Sequence, residues 1–348
     1  MGLSRKIWSG KRVLVTGHTG FKGSWLTLIL KSLGADVIGF SLPPQGPKSL
    51  YTLAEIGKMT SDEYMQDIRD EIEVQRVFLR SDIDYVFHLA AQAYVRDSIR
   101  NPIESISTNV YGASNVLITA LETSSLLGFT FITTDKVYKN ENARIPFRES
   151  DPLGGRDPYS ASKAASELLV SSLLASNNPR KIPVTVVRAG NVIGGGDWGS
   201  ERLVPDLIHS LNTDSVLQIR NPNATRPWQH VLDCLNGYLL VAEAHLSKRE
   251  DVPHAFNFGP TTSLSVMDLI GQFETAYNRK VKFSISKSVI AESDWLELDS
   301  GLALSYLGWS PSMLPIEAVM RTAKWYSRLE DGAKALDLMN EDILDFEF

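Results

Sequence analysis

Hydrophobic and polar positions change their period repeatedly along the chain up to about residue 192. Residues 11–17, KRVLVTG, form an apolar, β-rich run that ends in glycine and predicts a buried strand. Residues 24–34 have helical spacing and stop at Gly34. Strands are also predicted at 35–41, 85–92, 129–134 and 183–192, and helices at about 70–80, about 102–126 and 159–175. This alternation predicts an α/β fold with a Rossmann-type, doubly wound parallel sheet.

The pattern becomes irregular after residue 192, where glycines at 194–196 precede repeated proline and asparagine. Such a composition predicts loops, which we assign to a smaller, mixed α/β lobe. We therefore expect a Rossmann domain over 1–192 and a second lobe formed mainly by 193–348. A segment at about 226–250 is expected to return to the first domain.

The chain has the length and apolar content of a globular enzyme. Its 348 residues, 43% of them hydrophobic, are enough for a large core. No apolar run reaches the roughly 20 residues of a membrane helix. The first residues, MGLSRKIWSGKR, contain no apolar signal-peptide core. We therefore expect a cytoplasmic protein that does not engage a membrane.

The net charge and the numbers of cysteines and histidines argue against two further classes of protein, nucleic-acid binders and metalloproteins. The formal net charge is -6, the pI is near 5.6 and no basic stripe is found, which argues against a nucleic-acid partner. The single cysteine, Cys234, excludes an intrachain disulfide and a zinc site built from several cysteines. The six histidines are scattered, so we expect no metal.

A glycine-rich motif, TGHTGFKG, lies between the first predicted strand and the first predicted helix. Gly17, Gly20 and Gly23 allow a tight turn in which backbone N–H groups approach a pyrophosphate. A turn that only packs the strand against the helix would need similar residues. The position of the motif in the first βα unit favours a dinucleotide site.

The choice between NAD and NADP is not made by the second strand. A dinucleotide site usually carries an acid at its end, whereas this strand ends Gly39-Phe40-Ser41. Ser41 is neutral, and no arginine stands beside it to bind a 2′-phosphate. Further along the chain, Asp67 and Ile68 precede a helix, where they fit either an adenine contact or an ordinary helix N-cap.

A second motif pairs a phenol with an amine. Tyr159 and Lys163 are four residues apart on a predicted helix and share one face. A nearby ammonium lowers the pKa of a phenol, which predicts Tyr159 as a base for a sugar hydroxyl. The same spacing also occurs by chance on exposed helices.

A third group stands where the strand at 129–134 ends, in the sequence FITTDKVYK. Thr134, Asp135 and Lys136 place a hydroxyl, an acid and an amine side by side. Taken alone, the stretch fits a turn with a solvated ion pair. Beside a nucleotide site and the Tyr159 motif it fits a proton-transfer set better.

Together these motifs resemble those of the extended short-chain dehydrogenase/reductases that act on nucleotide sugars, and the resemblance covers nearly the whole chain. Four runs narrow the resemblance to the CDP-D-glucose 4,6-dehydratases within that family. They are TGHTGFKGSWL, DPYSASK, RAGNVIGGGDW and RNPNATRPWQHV. The resemblance implies conversion of CDP-glucose to CDP-4-keto-6-deoxy-glucose, an early step towards the deoxy sugars of surface polysaccharides.

The resemblance also implies a division of catalytic labour. Tyr159 takes the C4 hydroxyl proton, and Thr134 steadies the same oxygen. Asp135 protonates the departing C6 hydroxyl group, which requires a raised pKa. Lys136 is either the base at C5 or a charged stabiliser of the enolate, and the sequence leaves both roles open.

Binding roles follow from the same resemblance. The cofactor, NAD with NADP not excluded, is expected to contact Gly17, Thr19, Gly20, Phe21, Lys22, Gly23, Ser41, Asp67, Ile68, Ala90, Ala91, Gln92, Asn109, Tyr159 and Lys163. The substrate diphosphate is expected at Asn191 and Arg226, with Arg202 and Arg220 as weaker candidates. The helices at 102–126 and 159–175 are expected to form a homodimer or homotetramer.

Three other functions stay under consideration. Another nucleotide-sugar 4,6-dehydratase, acting on UDP-N-acetylglucosamine or dTDP-glucose, would use the same chemistry. A nucleotide-sugar C4 epimerase needs the Tyr159–Lys163 pair but no acid at the strand end. A non-catalytic NAD-binding scaffold would need neither, so the presence of both motifs favours an enzyme.

Overall fold

The computed structural model describes residues 2–141, 144–199, 201–286, 295–346 and 348. The strands are β1 (Arg12–Thr16), β2 (Asp36–Ser41), β3 (Asp62–Met65), β4 (Tyr85–His88), β5 (Gly128–Ile132), β6 (Val184–Ala189), β7 (Val192–Ile193), β8 (Leu217–Ile219), β9 (Thr225–Arg226), β10 (Gln229–His230), β11 (Ala255–Phe258), β12 (Leu264–Ser265) and β13 (Phe283–Ile285).

The α-helices are α1 (Arg5–Trp8), α2 (Phe21–Ser32), α3 (Leu50–Leu53), α4 (Glu71–Ser81), α5 (Val95–Arg100), α6 (Pro102–Ile106), α7 (Ala113–Glu122), α8 (Pro158–Ser176), α9 (Leu203–Thr213), α10 (Val231–Leu246), α11 (Val266–Tyr277), α12 (Gly301–Leu307), α13 (Pro315–Glu330) and α14 (Ala335–Phe346). Short 3-10 helices span Ile56–Met59 and Asp135–Val137, and a π-helical turn spans Ser107–Gly112. In the part of the chain that the structure describes, no helix is long and apolar enough to cross a membrane.

Seven parallel strands form the central sheet in the order β11-β6-β5-β4-β1-β2-β3. From β1 the chain first builds outward through β2 and β3, and then crosses to the other side of β1 with β4. In a sheet of this kind the ligand crevice lies outside the carboxyl ends of the strands at that reversal. The predicted Rossmann-type α/β fold is confirmed, and the functional site is expected beyond the ends of β1 and β4.

Helices cover both faces of the sheet and bury apolar side chains against it. On one face, Trp25 of α2 and Leu232 of α10 belong to a single large core. On the other face, Val74 of α4, Leu117 of α7 and Val170 of α8 form a second cluster. The two layers hold the carboxyl ends of β1, β4 and β5 in fixed positions.

Two elements differ from the sequence pattern. Strand β3 was not predicted, because its sequence DEYM has exposed or half-buried residues throughout and lies at the edge of the sheet. The helix expected over about 102–126 is divided into α6, the π-helical turn and α7. Since π-helical turns are rare and concentrate at functional sites, this division draws attention to Asn109 within it.

The second half is more regular than its composition indicates. Helix α10 is sixteen residues long and largely buried, so its apolar residues surround the helix and leave no amphipathic stripe to detect. Strand β11 pairs in parallel with β6 and completes the central sheet. Short strand pairs, β10 with β7, β12 with β9 and β13 with β8, lie outside that sheet.

Candidate active site

The glycine-rich turn after β1 is shaped as a cradle for phosphate. Gly17 has a φ of +77°, and a β-carbon there would lie 2.8 Å from the backbone nitrogen of Ala90. A β-carbon on Gly23 would lie 2.1 Å from the carbonyl oxygen of Gly17. Helix α2 begins at Phe21 with Gly20 as N-cap and without a side-chain cap. Its first N–H groups can therefore receive the phosphate oxygens of a dinucleotide.

Three of the positions predicted to contact the cofactor have local partners. The hydroxyl groups of Thr19 and Ser41 lie 2.7 Å apart. The Nε group of Arg69 donates to both carboxylate oxygens of Asp67, at 3.0 and 2.9 Å. Although desolvation opposes it, this pairing lowers the pKa of Asp67. Asp67 does not cap α4, because that helix is capped by Asp70.

Asn109 joins the loop after β4 to the catalytic helix. Its side-chain oxygen accepts from the Gln92 backbone N–H at 2.8 Å, and its amide donates to the Gln92 carbonyl at 3.0 Å. The same amide donates to the Ser162 hydroxyl on α8 at 2.9 Å. The π-helical turn aims Asn109 at this junction, and Ala90 and Gln92 line the loop that it holds.

Thr134 and Asp135 lie together where β5 ends. The Thr134 hydroxyl donates to Oδ1 of Asp135 at 2.9 Å, and the Asp135 side chain is almost fully buried. Burial raises the pKa of Asp135, and the charges of Lys136, Lys22 and Arg226 only partly oppose this. Lys136 itself is exposed. A carboxyl group with a raised pKa can act as a proton donor.

Tyr159 and Lys163 occupy the first turns of α8, as their spacing predicts, but the pKa of Tyr159 is not lowered. Desolvation raises it to about 12, and the hydrogen bond with Thr134 and the charge of Arg202 counteract this only in part. The Lys163 ammonium donates to the carbonyl of Ile132 at 3.1 Å. That bond directs the ammonium to the end of β5.

Lys22 connects the glycine-rich turn with the residues predicted to be catalytic. Its ammonium donates to the phenol of Tyr238, on α10, at 3.3 Å. Burial and, to a smaller extent, the charge of Lys22 lower the pKa of Lys163 to about 8. Lys22 is thus close enough to influence both Lys163 and Asp135.

The arginines predicted for the substrate fall into two groups. Arg202 forms an ion pair with Asp197 at 3.0 Å and lies over the ring of Tyr94. Its charge also acts on Tyr159. The charge of Arg226 acts on Asp135. These two arginines lie within electrostatic range of the catalytic residues.

Arg220 and Asn191 have other surroundings. The charge interactions of Arg220 are with Arg96, Glu201 and Asp206. Asn191 has a φ of +50°, and its carbonyl accepts the backbone N–H of Gln229 at 3.1 Å. That bond joins the chain after β6 to the segment that carries Arg226.

Sequence reasoning missed a buried layer behind the site. Thr133 donates to Glu167 at 2.5 Å, and Glu167 pairs with Arg188. Both charged side chains are almost completely buried. Gly190 was also missed, although it lies in one of the runs that carry the family resemblance. The available signal was a glycine directly after a strand, which often marks a close backbone approach.

Comparison with known proteins identifies the family. The model of the "NAD dependent epimerase/dehydratase family" matches residues 13–259, which is more than half of the chain. The chain belongs to this family. Its members depend on NAD, as the name states, so the predicted enzyme class and the predicted cofactor are confirmed.

Individual relatives agree with this assignment. The chain is 36% identical to a CDP-glucose 4,6-dehydratase of Salmonella typhimurium, over 99% of this chain and 98% of that protein. It is 28% identical to a UDP-glucose 4-epimerase of Haemophilus influenzae, over 85% and 92% of the two chains. The structure of a Bacillus cereus UDP-glucuronic acid 4-epimerase, in complex with UDP-glucuronic acid and NAD, matches with a TM-score of 0.80 at 24% identity. That match covers 91% of this chain and 99% of the other, and it supports the fold.

Proposed function

We propose that the chain is a CDP-glucose 4,6-dehydratase that converts CDP-glucose to CDP-4-keto-6-deoxy-glucose and water. The observation that carries the proposal is Asp135, a buried carboxyl group with a raised pKa that contacts Thr134 at the end of β5. An elimination needs such an acid, whereas epimerisation at C4 does not. The 36% identity to a CDP-glucose 4,6-dehydratase supports the choice of reaction and substrate.

The glycine cradle, Thr19, Ser41 and the Asn109–Gln92 junction are the residues that would hold NAD. NAD held there would supply the hydride acceptor for C4 and the hydride donor for C6, so that no net reduced cofactor would form. The cradle fits a pyrophosphate because Gly17 and Gly23 have no room for a side chain. Thr19 and Ser41 offer neutral hydroxyl groups to the ribose side of the cofactor.

In the first step, protein residues remove the proton from the C4 hydroxyl group. Tyr159 takes this proton, and Thr134, which hydrogen-bonds to the phenol, steadies the C4 oxygen. With a pKa near 12 in the structure, the phenol needs additional positive charge to act as a base near neutral pH. Arg202 already acts in that direction, and a bound oxidised nicotinamide adds charge of the same sign.

The second step is the loss of water across C5 and C6. The C4 ketone makes the C5 hydrogen acidic. Asp135 gives its proton to the C6 hydroxyl group, which leaves as water while the C5–H and C6–O bonds break and a C5–C6 double bond forms. Lys136 serves the C5 position in one of two ways. As a neutral amine it would accept the C5 proton; as a cation it would stabilise the enolate while a water molecule accepts that proton. The charge of Lys136 already acts on Asp135.

Arg226, Arg202 and Asn191 are assigned to the nucleotide diphosphate. The guanidinium groups suit phosphate oxygens because they donate in a bidentate arrangement. The charge of Arg226 acts on Asp135 and that of Arg202 on Tyr159, so a sugar held by its diphosphate would lie beside the reacting groups. Arg220 would contact a more distant part of the nucleotide.

A substrate panel tests the proposal. The purified protein is incubated with NAD and, separately, with CDP-glucose, dTDP-glucose, UDP-glucose and UDP-N-acetylglucosamine, while product mass and cofactor absorbance are followed. Loss of one water from CDP-glucose alone, without accumulation of reduced cofactor, is the expected result. Water loss from another sugar would retain the chemistry and reject the CDP assignment. A changed sugar of unchanged mass would show epimerisation and refute the role of Asp135.

We also propose that two copies of the chain pair through α6, α8 and the π-helical turn. Ile103 is 76% exposed and Leu168 is 61% exposed. Ile106 and Tyr111 add exposed apolar surface on the same region. Contiguous apolar surface of this kind is typical of a protein–protein contact. The cytoplasmic location stays a prediction.

A further inference from the structure

Gly190 follows β6 and lies against the carboxyl group of Asp135, from which it is separated by 55 positions in the sequence. A β-carbon built on Gly190 would lie 1.8 Å from Oδ2 of Asp135 and 2.1 Å from its Cγ. Both distances are far below any van der Waals contact. The Asp135 carboxyl group therefore occupies the volume that a side chain at position 190 would fill.

The other oxygen of the carboxyl group, Oδ1, would lie 2.5 Å from the same β-carbon and has a hydrogen-bond donor of its own. Oδ1 accepts the hydrogen bond from the Thr134 hydroxyl at 2.9 Å. The carboxyl group thus accepts a hydrogen bond from Thr134 and packs against the backbone of Gly190. Asp135 as a whole is only 3% exposed, so its carboxyl group is packed among protein atoms.

The backbone at Gly190 is fixed as well. Ala189 is the last residue of β6, which is paired with β5 on one side and β11 on the other. On the other side of Gly190, the carbonyl of Asn191 accepts the Gln229 N–H at 3.1 Å. Because both neighbours are held, the backbone cannot move aside for a larger residue, and Asp135 would have to move.

We propose that Gly190 is a positioning residue for Asp135, whose carboxyl group is held for protonation of the C6 hydroxyl group only because position 190 has no side chain. This inference rests on the proposed dehydratase function and extends it to a second position in the sequence. The two residues act as a pair: Asp135 supplies the proton and Gly190 supplies the space. A side chain at position 190 displaces the acid and leaves the groups that serve C4 in place.

A double-mutant cycle tests the proposal with Gly190→Ala, Asp135→Ala and the combined variant. In a single turnover with NAD and CDP-glucose, Gly190→Ala should still form reduced cofactor, because Tyr159 and Thr134 are unchanged. Water loss should fall roughly 100-fold, the scale of a lost proton donor. In the Asp135→Ala background, Gly190→Ala should cause no further loss, because no carboxyl group is left to displace.

Thermal unfolding gives a second readout that does not depend on catalysis. Gly190→Ala should lower the unfolding midpoint of the wild-type chain and leave that of Asp135→Ala nearly unchanged. This comparison remains informative if Gly190→Ala alone folds poorly, since the combined variant relieves the clash. Gly271→Ala is the matched control: it lies in α11, and a β-carbon there meets nothing within 4 Å.

The outcomes separate this inference from the proposed function. If the wild-type protein dehydrates CDP-glucose and Gly190→Ala does so at the same rate, the inference is wrong and the function stands. Independent, multiplicative effects of the two substitutions would also overturn it. If the wild-type protein dehydrates no nucleotide sugar, the proposed function fails, and coupling in the unfolding midpoints still decides whether the two positions share one volume.

Discussion

Glu167 and Arg188 form a buried ion pair behind the catalytic end of β5. The Nε group of Arg188 donates to the two Glu167 oxygens at 3.1 and 3.0 Å, and Thr133, the neighbour of Thr134, donates to the same carboxylate. The pair therefore joins α8, which carries Tyr159 and Lys163, to β6 and to the residues that follow β5. The buried pair therefore braces the elements that carry the proposed catalytic residues.

Replacing Glu167 by Gln should destabilise the protein strongly. The substitution leaves the Arg188 charge buried without its counterion, which typically costs about 3 kcal/mol of unfolding free energy or more. Chemical denaturation measures the change. Glu55→Gln is the control, because the Glu55–Lys58 pair is exposed and should contribute little. Equal effects of the two substitutions would contradict a structural role for the buried pair.

The same substitution should move the pH dependence of the reaction. Burial lowers the pKa of Lys163 to about 8, and the negative charge of Glu167 opposes this shift. Without that charge the pKa falls further, so Lys163 loses its proton at lower pH. If the charged form is needed, the alkaline limb of the kcat profile moves to lower pH in Glu167→Gln. An unmoved limb would mean that Glu167 acts on stability alone.

Tyr159→Phe should abolish C4 oxidation, because phenylalanine cannot accept the hydroxyl proton. The expected loss is roughly 1,000-fold, within the range for removal of a general base. Appearance of reduced cofactor in a single turnover is the measurement. Tyr111→Phe changes a tyrosine that is 53% exposed and should retain full activity. Survival of activity in Tyr159→Phe would remove the phenol from the mechanism.

Asp135→Asn should separate the two halves of the reaction. C4 oxidation proceeds, but the amide cannot protonate the C6 hydroxyl group, so reduced cofactor accumulates on the enzyme. Burial raises the pKa of Asp135, so in the wild type elimination should weaken as pH rises through that pKa and the proton is lost. Asp36→Asn, at an exposed position, is the control. Rapid turnover by Asp135→Asn would exclude Asp135 as the acid.

Ile103→Glu should weaken the proposed pairing of two chains. Ile103 is 76% exposed, and a charge there would be buried at cost if α6 meets a second copy. Light scattering after size exclusion should show a lower mass. Leu79→Glu, at a residue of α4 that is 86% exposed, should leave the mass unchanged. If the wild-type protein has the mass of a monomer, the proposed interface is wrong.

The parts of the fold that follow hydrophobic period were predictable from the sequence. Helix α8 and strands β1 and β5 have strong patterns, and the structure gives them nearly the predicted bounds. Strand β3 was not predicted, because a strand at the edge of a sheet needs few apolar residues. Helix α10 was not predicted, because a helix buried on all sides has no separate apolar face. The hydrophobic pattern of a segment identifies it as a helix or strand only when one face is buried and the other is exposed.

Within the candidate site, the sequence predicted groups of residues that are close along the chain, and it missed contacts between residues that are distant along the chain. Thr134, Asp135 and Lys136 are adjacent, and Tyr159 and Lys163 share one helix face, so the sequence itself brings each group together. The contact between Gly190 and the Asp135 carboxyl group forms only when β5 and β6 pair side by side. The pKa of Tyr159 was also out of reach, because it depends on burial and on the direction of the Lys163 ammonium.

Strand β11 has a consequence for synthesis of the chain. It pairs with β6, whose end leads into Gly190, and it comes from residues 255–258. Until the ribosome has released this segment, the edge of β6 presents unpaired N–H and C=O groups that can recruit a foreign strand. A nascent or clipped chain that ends before residue 255 therefore keeps this edge of β6 unpaired, and an unpaired edge is a template for aggregation.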